Sequence, residues 1–137
     1  MNKIIITSIF VVLMVGTNAQ AQIQKGLASF YADKFDGRLT ASGEKYTHNK
    51  LTAAHKFLPF GTVVKVTNLA NNESVEVRIN DRGPFVEGRV IDLSKKAAEN
   101  LKFTGQGLTE VKIEVIDAGD GMSGSNREIQ IDEPANN

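Results

Sequence analysis

The sequence predicts a mainly β fold, a small closed barrel of six strands with one short helix. Three observations predict it. Residues 25–117 divide into short β-prone runs separated by turn signals. Two of those runs alternate cleanly between apolar and polar residues, the period of a half-buried strand. Only one segment carries a helix start followed by a helical apolar pattern. Six strands packed into so few residues leave many edges, and closure into a barrel removes them.

The elements follow in order. Lys25 to Ala32 is β-prone and forms the first strand, and Asp36-Gly37 and Ser42-Gly43 mark loops after it. Leu51 to His55 is a short apolar run. Thr62 to Asn68 contains Val63, Val64 and Val66 and reads as a strand. Asn71-Asn72 is a hairpin turn signal. Ser74 to Asn80 then places Val75, Val77 and Ile79 on one face and Ser74, Glu76, Arg78 and Asn80 on the other. Arg89 to Leu93 is a further strand. Ser94 is an N-cap for a helix through Lys95, Ala97, Ala98 and Leu101, with Leu93 and Ala98 placed to pack as a hydrophobic staple. Thr109 to Asp117 alternates again, with Val111, Ile113 and Val115 inward. Ala118 to Asn137 is rich in Gly, Ser, Asp and Asn and is expected to be a disordered polar tail.

The first 21 residues read as an address. Lys3 precedes an apolar run from Ile4 to Val15, and Ala19-Gln20-Ala21 offers small residues to a signal peptidase. The run is too short for a membrane-spanning helix, which needs roughly 20 apolar residues. Cleavage after Ala21 is expected to release a periplasmic or extracellular protein without a membrane anchor. The chain has 137 residues, 41% of them hydrophobic, with 16 basic and 16 acidic side chains. That allows one domain with a real core and gives no basic excess for a nucleic-acid partner. Cysteine is absent, which excludes a disulfide framework, a thiol nucleophile and a lipid on an N-terminal cysteine. Tryptophan is absent as well, so an aromatic sugar platform has to come from Tyr31, Tyr46 or the phenylalanines.

Few residues can carry chemistry. His48 sits in a polar loop and is expected to be solvated. His55 ends the run Leu51-Thr52-Ala53-Ala54-His55 and is either a satisfied core group or a site group. Asp81, in Asn80-Asp81-Arg82-Gly83-Pro84-Phe85, lies where the best strand gives way to a loop, a usual place for reactive groups. Either it caps that turn and pairs with Arg82, or it presents a carboxylate away from Arg82, because neighbouring side chains in extended chain face opposite ways. Asp92 lies among apolar residues just before the helix cap, as a structural acceptor or a second acid. Glu44 by itself reads as a solvated loop charge. The two histidines, seven residues apart, offer no metal-ligand spacing, and there is no phosphate loop or serine elbow. No metal or cofactor is implied.

Seven segments in one order resemble the rare lipoprotein A family of septal-ring lytic transglycosylases. They are Gly26-Leu27-Ala28-Ser29-Phe30-Tyr31, Thr40-Ala41-Ser42-Gly43-Glu44, Leu51 to His55, Leu58-Pro59-Phe60-Gly61-Thr62, Val66-Thr67-Asn68-Leu69, Asn80 to Phe85 and Arg89-Val90-Ile91-Asp92-Leu93-Ser94. The resemblance covers Gly26 to Asp117. It implies a double-psi β-barrel that cleaves the glycan of peptidoglycan between N-acetylmuramic acid and N-acetylglucosamine without water, on strands stripped of peptide. By position it implies Asp81, His55 and Glu44 as catalytic residues, with Tyr31, Thr40, Ser42 and Arg82 in the substrate site. Similar barrels in expansins carry their acid in a segment like Ile91-Asp92-Leu93-Ser94. They imply the alternative of a non-catalytic, wall-loosening module that binds glycan on aromatic residues such as Tyr31 and Tyr46.

Hydrolytic glycosidases usually need two carboxyl groups. A lytic transglycosylase needs one, because the 6-hydroxyl of the muramyl sugar is the nucleophile. Asp81 is expected to protonate the glycosidic oxygen and later take the hydroxyl proton. A neighbouring like charge such as Glu44 favours a protonated carboxyl, a cation such as Arg82 opposes it, and His55 is expected to orient Asp81.

Overall fold

Alternating apolar side chains decide where the chain closes. In the computed structural model, which describes residues 23–121, the strands are β1 (Ile23–Phe30), β2 (Thr52–Ala54), β3 (Val63–Asn68), β4 (Ser74–Asp81), β5 (Arg89–Leu93) and β6 (Thr109–Asp117). One helix, α1 (Lys95–Asn100), lies between β5 and β6. Val64, Val66, Val75, Val77, Ile79, Val111 and Ile113 all point into one core, as their period-2 spacing requires. Ser94 caps α1, its extended backbone letting Oγ accept from the Ala97 amide at 3.2 Å. Leu93 and Ala98, on either side of that cap, are both fully buried. Asn72 turns the β3–β4 hairpin at a φ of 60°, which asparagine tolerates better than most residues.

The strands form a closed barrel in the order β1-β5-β2-β4-β3-β6. Two neighbouring pairs, β1·β5 and β2·β4, are parallel, and the other four are antiparallel. This is a six-stranded double-psi β-barrel. Several boundaries differ from the sequence reading, β2, β3 and β4 by one residue at one or both ends. β1 starts at Ile23 because the long β6 pairs with it from Glu114 back to Thr109. It stops at Phe30, since the Tyr31 amide makes a last bond to the Leu93 carbonyl and the chain then leaves the sheet. Ordered chain also continues past Asp117: the amides of Gly119 and Gly121 bond to Thr62 Oγ1 and the Phe60 carbonyl. A Cβ on Gly119 would lie 2.3 Å from the Thr62 nitrogen, so only glycine allows that approach. The expected signal peptide and the rest of the expected tail lie outside the described residues.

Each parallel pair skips one residue. Leu27 and Ala28 face Arg89 and Ile91, passing over Val90; Ala53 and Ala54 face Ile79 and Asp81, passing over Asn80. The result is a single row across four strands, Ser29–Asp92–Ala54–Asp81. The residues flanking that row on the four strands, Ala28, Ile91, Leu93, Ala53 and Ile79, are core. The row with the two aspartates therefore faces outward. They are separated by one strand carrying only the methyl of Ala54, so their Cα atoms lie about 10 Å apart, twice the strand spacing.

The skipped Val90 needs room, and Gly26 provides it: a Cβ there would come within 2.4 Å of Val90 Cγ1. Gly26→Ala is expected to cost about 1–3 kcal/mol through overpacking, and adding Val90→Ala should recover most of it. Urea unfolding of the two single variants and the double variant measures this coupling.

Candidate active site

The site is built where β1 and β4 end. Tyr31 follows β1, stacks on Tyr46 with ring centroids 4.1 Å apart, and meets Phe35 edge-on. Its hydroxyl donates to Asp81 Oδ2 at 2.5 Å. Burial, then the hydrogen bond to Asp81 and its charge, push the Tyr31 phenol far above its usual range. Tyr31 thus stays protonated and donates. Asp81 ends β4, and its other oxygen, Oδ1, accepts from the amides of Ala41 at 2.8 Å and Arg82 at 2.9 Å.

The Ala41 amide is presented by a tight turn. Thr40 donates through both its amide and its hydroxyl to the Glu44 carbonyl, at 2.8 Å each, and its Oγ1 lies 2.9 Å from Ser42 Oγ. The Ser42 amide bonds to the Asn80 carbonyl at 3.3 Å. Thr40 and Ser42, expected to touch substrate, are instead engaged in shaping this turn. Glu44 is not a solvated charge. Both its oxygens take the Arg78 guanidinium, at 2.8 and 2.6 Å, and Asn80 Nδ2 adds a third contact at 3.3 Å. Paired with Arg78, Glu44 pins the turn to β4.

Asp81 and Asp92 line one open groove of about 720 Å³, together with Tyr31, Phe35, Arg38, Arg82, Phe85 and Arg89. Asp92 is held by the Ser29 hydroxyl and by Arg89 Nη2 at 2.7 Å. The Arg82 guanidinium does not pair with Asp81. It donates to the carbonyls of Leu58 at 2.8 Å and His55 at 3.2 Å, and lies 4.1 Å from the centre of the Phe60 ring. Of the expected residues, the groove brings together Asp81, Asp92, Tyr31 and Arg82.

His55 lies elsewhere. Its amide bonds to the Asp81 carbonyl at 3.1 Å, but its ring lines a separate cavity with Ile23, Gln24, Phe57 and Leu58. Nδ1 accepts from the amides of Phe57 and Leu58, at 3.1 Å each, and Nε2 meets Gln24 Oε1 at 2.7 Å. The expected orientation of Asp81 by a His55 hydrogen bond is therefore corrected: Tyr31 does that work. Tyr46 is no open sugar platform either, being only 2% exposed beneath Tyr31. Its hydroxyl lies 2.6 Å from His48 Nδ1, and His48 Nε2 lies 2.9 Å from Asp33, so His48 is tied in rather than solvated. Ser29, Arg89 and the Ala41 amide were missed as site groups. Two of them sit inside motifs already noted, beside Tyr31 and Asp92, and the third is backbone.

Residues 23–113 match a family model described as lytic transglycolase. The chain belongs to the lytic transglycolase family. Among relatives of this family member, a Campylobacter jejuni protein named endolytic peptidoglycan transglycosylase RlpA is 51% identical over 108 residues, covering 79% of this chain and 39% of that protein. One of the same name from Neisseria meningitidis is 51% identical over 110 residues, covering 80% and 46%. A Nostoc protein named probable endolytic peptidoglycan transglycosylase RlpA is 57% identical over 94 residues, covering 67% and 25%. The chain thus spans less than half the length of these curated relatives. Among solved structures, Streptomyces papain inhibitor superposes with a TM-score of 0.56 at 20% identity, over 70% of this chain and 96% of that one. Apo Clavibacter michiganensis expansin gives 0.54 at 19%, over 71% and 52%. At such identity both speak for the barrel fold alone.

Burial, then Arg82 and Lys56, hold the His55 imidazole below its ordinary range. The unfolded chain, with a pKa of about 6.5, then takes up the proton first as pH falls. The stability contributed by neutral His55 is whole above about pH 6.5 and is lost as pH drops below it. Urea midpoints measured down to about pH 5 should fall for the wild type and fall less steeply for His55→Asn.

Proposed function

We propose that this domain is an endolytic peptidoglycan lytic transglycosylase with Asp81 as its acid and base. One observation carries the reading. Asp81 stands at an open groove, oriented by one phenol and two amides, while the guanidinium of the next residue is turned onto carbonyl groups. The names of the relatives and the family match support the same activity on peptidoglycan glycan.

The two oxygens of Asp81 have different prospects. Oδ1 faces backbone amides, which only donate, whereas Oδ2 faces a phenol, which can rotate and accept. Oδ2 is therefore the oxygen that carries the proton. In the first step Oδ2–H protonates the oxygen linking N-acetylmuramic acid to N-acetylglucosamine, and the bond from the muramyl C1 to that oxygen breaks. In the second, the muramyl 6-hydroxyl oxygen bonds to C1 and its proton passes to Oδ2. The products are an anhydromuramyl end and a free N-acetylglucosamine 4-hydroxyl. No water is consumed and Asp81 is regenerated. Tyr31 orients Oδ2, the Arg82 guanidinium is held on carbonyl groups and not on the Asp81 carboxyl, and Asp92 with Arg89 forms a second polar wall for the sugar. Glu44 holds the turn carrying the Ala41 amide. Export after cleavage at Ala21 would deliver the domain to its polymer.

Mass analysis of products from peptide-free glycan strands tests this. The wild type should make anhydromuramyl ends, Asp81→Asn should lose at least about 100-fold in rate, and Tyr31→Phe about tenfold, the value of one charge-assisted hydrogen bond. Ordinary reducing ends would mean hydrolysis and bring in Asp92. Glycan retained but uncut would leave a binding module of the expansin kind.

A further inference from the structure

The His55 ring is fully engaged, and none of its partners belongs to the groove. Two backbone N–H groups converge on Nδ1, which fixes that nitrogen as the unprotonated acceptor and puts the ring proton on Nε2, toward Gln24 Oε1. The amides so held belong to Phe57 and Leu58. The same short loop turns the carbonyls of His55 and Leu58 onto Arg82 Nη1 and sets Phe60 against its guanidinium. Arg82 is the residue after Asp81. Its side chain lines the same groove as Asp81, so a guanidinium freed from those carbonyls has the carboxyl as a neighbouring anion, and a cation there opposes protonation.

We propose that His55 is a positioning residue that transfers no proton: by anchoring the Phe57–Leu58 amides through Nδ1, it builds the carbonyl clamp that keeps Arg82 off Asp81. This rests on Asp81 being the acid. The charged groups around the ring, Arg82 and Lys56, are both cations and oppose its protonation, in keeping with a neutral acceptor. Position 55 is thus coupled to the chemistry although its side chain opens on another cavity.

Asparagine and glutamine separate an anchor from a proton carrier. The amide oxygen of Asn reaches the place of Nδ1 and that of Gln the place of Nε2, and neither titrates. With peptide-free glycan, His55→Gln should lose about 100-fold in kcat, as expected of a displaced catalytic group, and His55→Asn should stay at least about tenfold faster than His55→Gln. In His55→Gln the alkaline limb of the kcat profile should move to lower pH, and adding Arg82→Gln should move it back. Equal loss in folded Asn and Gln variants would overturn the proposal in favour of proton transfer, and full activity in both would overturn it by making the anchor dispensable. Should either variant lack a cooperative thermal transition, 15N spectra of the wild-type imidazole decide. Nδ1 is expected to stay unprotonated across the whole active pH range, and a His55 titration that tracks kcat would sink the idea. Wild type and Asp81→Asn run alongside: if they do not differ, the reading of Asp81 has failed; if they differ and the Asn–Gln order does not hold, only the role of His55 has.

Discussion

The residue skipped in each parallel strand pair is the constraint on which the site depends. Without the irregularity opposite Ala53 and Ala54, Asn80 and not Asp81 would face Ala54. Without the matching one opposite Leu27 and Ala28, Asp92 would not share a row with Ser29. Such irregularities re-aim side chains at strand ends, and here two of them act in concert. They bring two carboxyl groups, one from each parallel pair, to the outer face of the same rung with only a methyl between them. Ala54 matters for that reason: a larger side chain there would fill the space between the aspartates. Closure of the barrel leaves the rung little freedom, because every strand contributing to it is bonded on both sides.

Above the rung lies a cover held mostly by polar contacts. From Tyr31 to Lys50 the chain makes a short 3-10 turn (Asp33–Phe35) and one isolated bridge, Leu39 to Lys45. Its fastenings to the barrel include Tyr31 and the Ala41 amide on Asp81, Glu44 on Arg78, and the Tyr46–His48–Asp33–Lys95 group on the start of α1. The Glu44–Arg78 pair is two-pronged and mostly shielded, the geometry in which an ion pair gives direction as well as energy. These fastenings set the Ala41 amide and the Tyr31 hydroxyl before any substrate arrives. Donors positioned in advance cost no reorganisation when charge changes on the carboxyl.

The barrel was legible because its signals are local. Val75-Glu76-Val77-Arg78-Ile79 and Val111-Lys112-Ile113 show which face is buried, and Ser94 shows where a helix begins. Parallel pairing leaves no such trace. Nothing in Arg89-Val90-Ile91 marks Val90 as the residue without a partner, and nothing in Ile79-Asn80-Asp81 marks Asn80. The aspartates and Tyr31 were found from their place at strand ends and in shared segments. Glu44 and His55 stand in equally distinctive segments, yet neither side chain lines the groove. Sequence order reports that a residue matters and is silent on the direction its side chain takes. Thr40 and Ser42 illustrate the same limit: hydroxyls in a glycine turn suit a sugar or the turn itself, and here the backbone takes them.

The two aspartates on the rung also show how one scaffold separates two carboxyl groups. Both stand on outward faces of parallel pairs, and both have an arginine close in sequence, Arg89 for Asp92 and Arg82 for Asp81. Arg89 lies three residues before Asp92 on the same strand and reaches it directly. Arg82 lies next to Asp81 and lines the same groove, but two carbonyls and an aromatic ring receive its guanidinium there. One carboxyl is therefore fixed beside a cation. The other is left with a phenol, a partner able both to donate and to accept. Assigning acid and base roles to pairs of like groups depends on environments that treat them differently. In this barrel the difference comes down to where one guanidinium is sent.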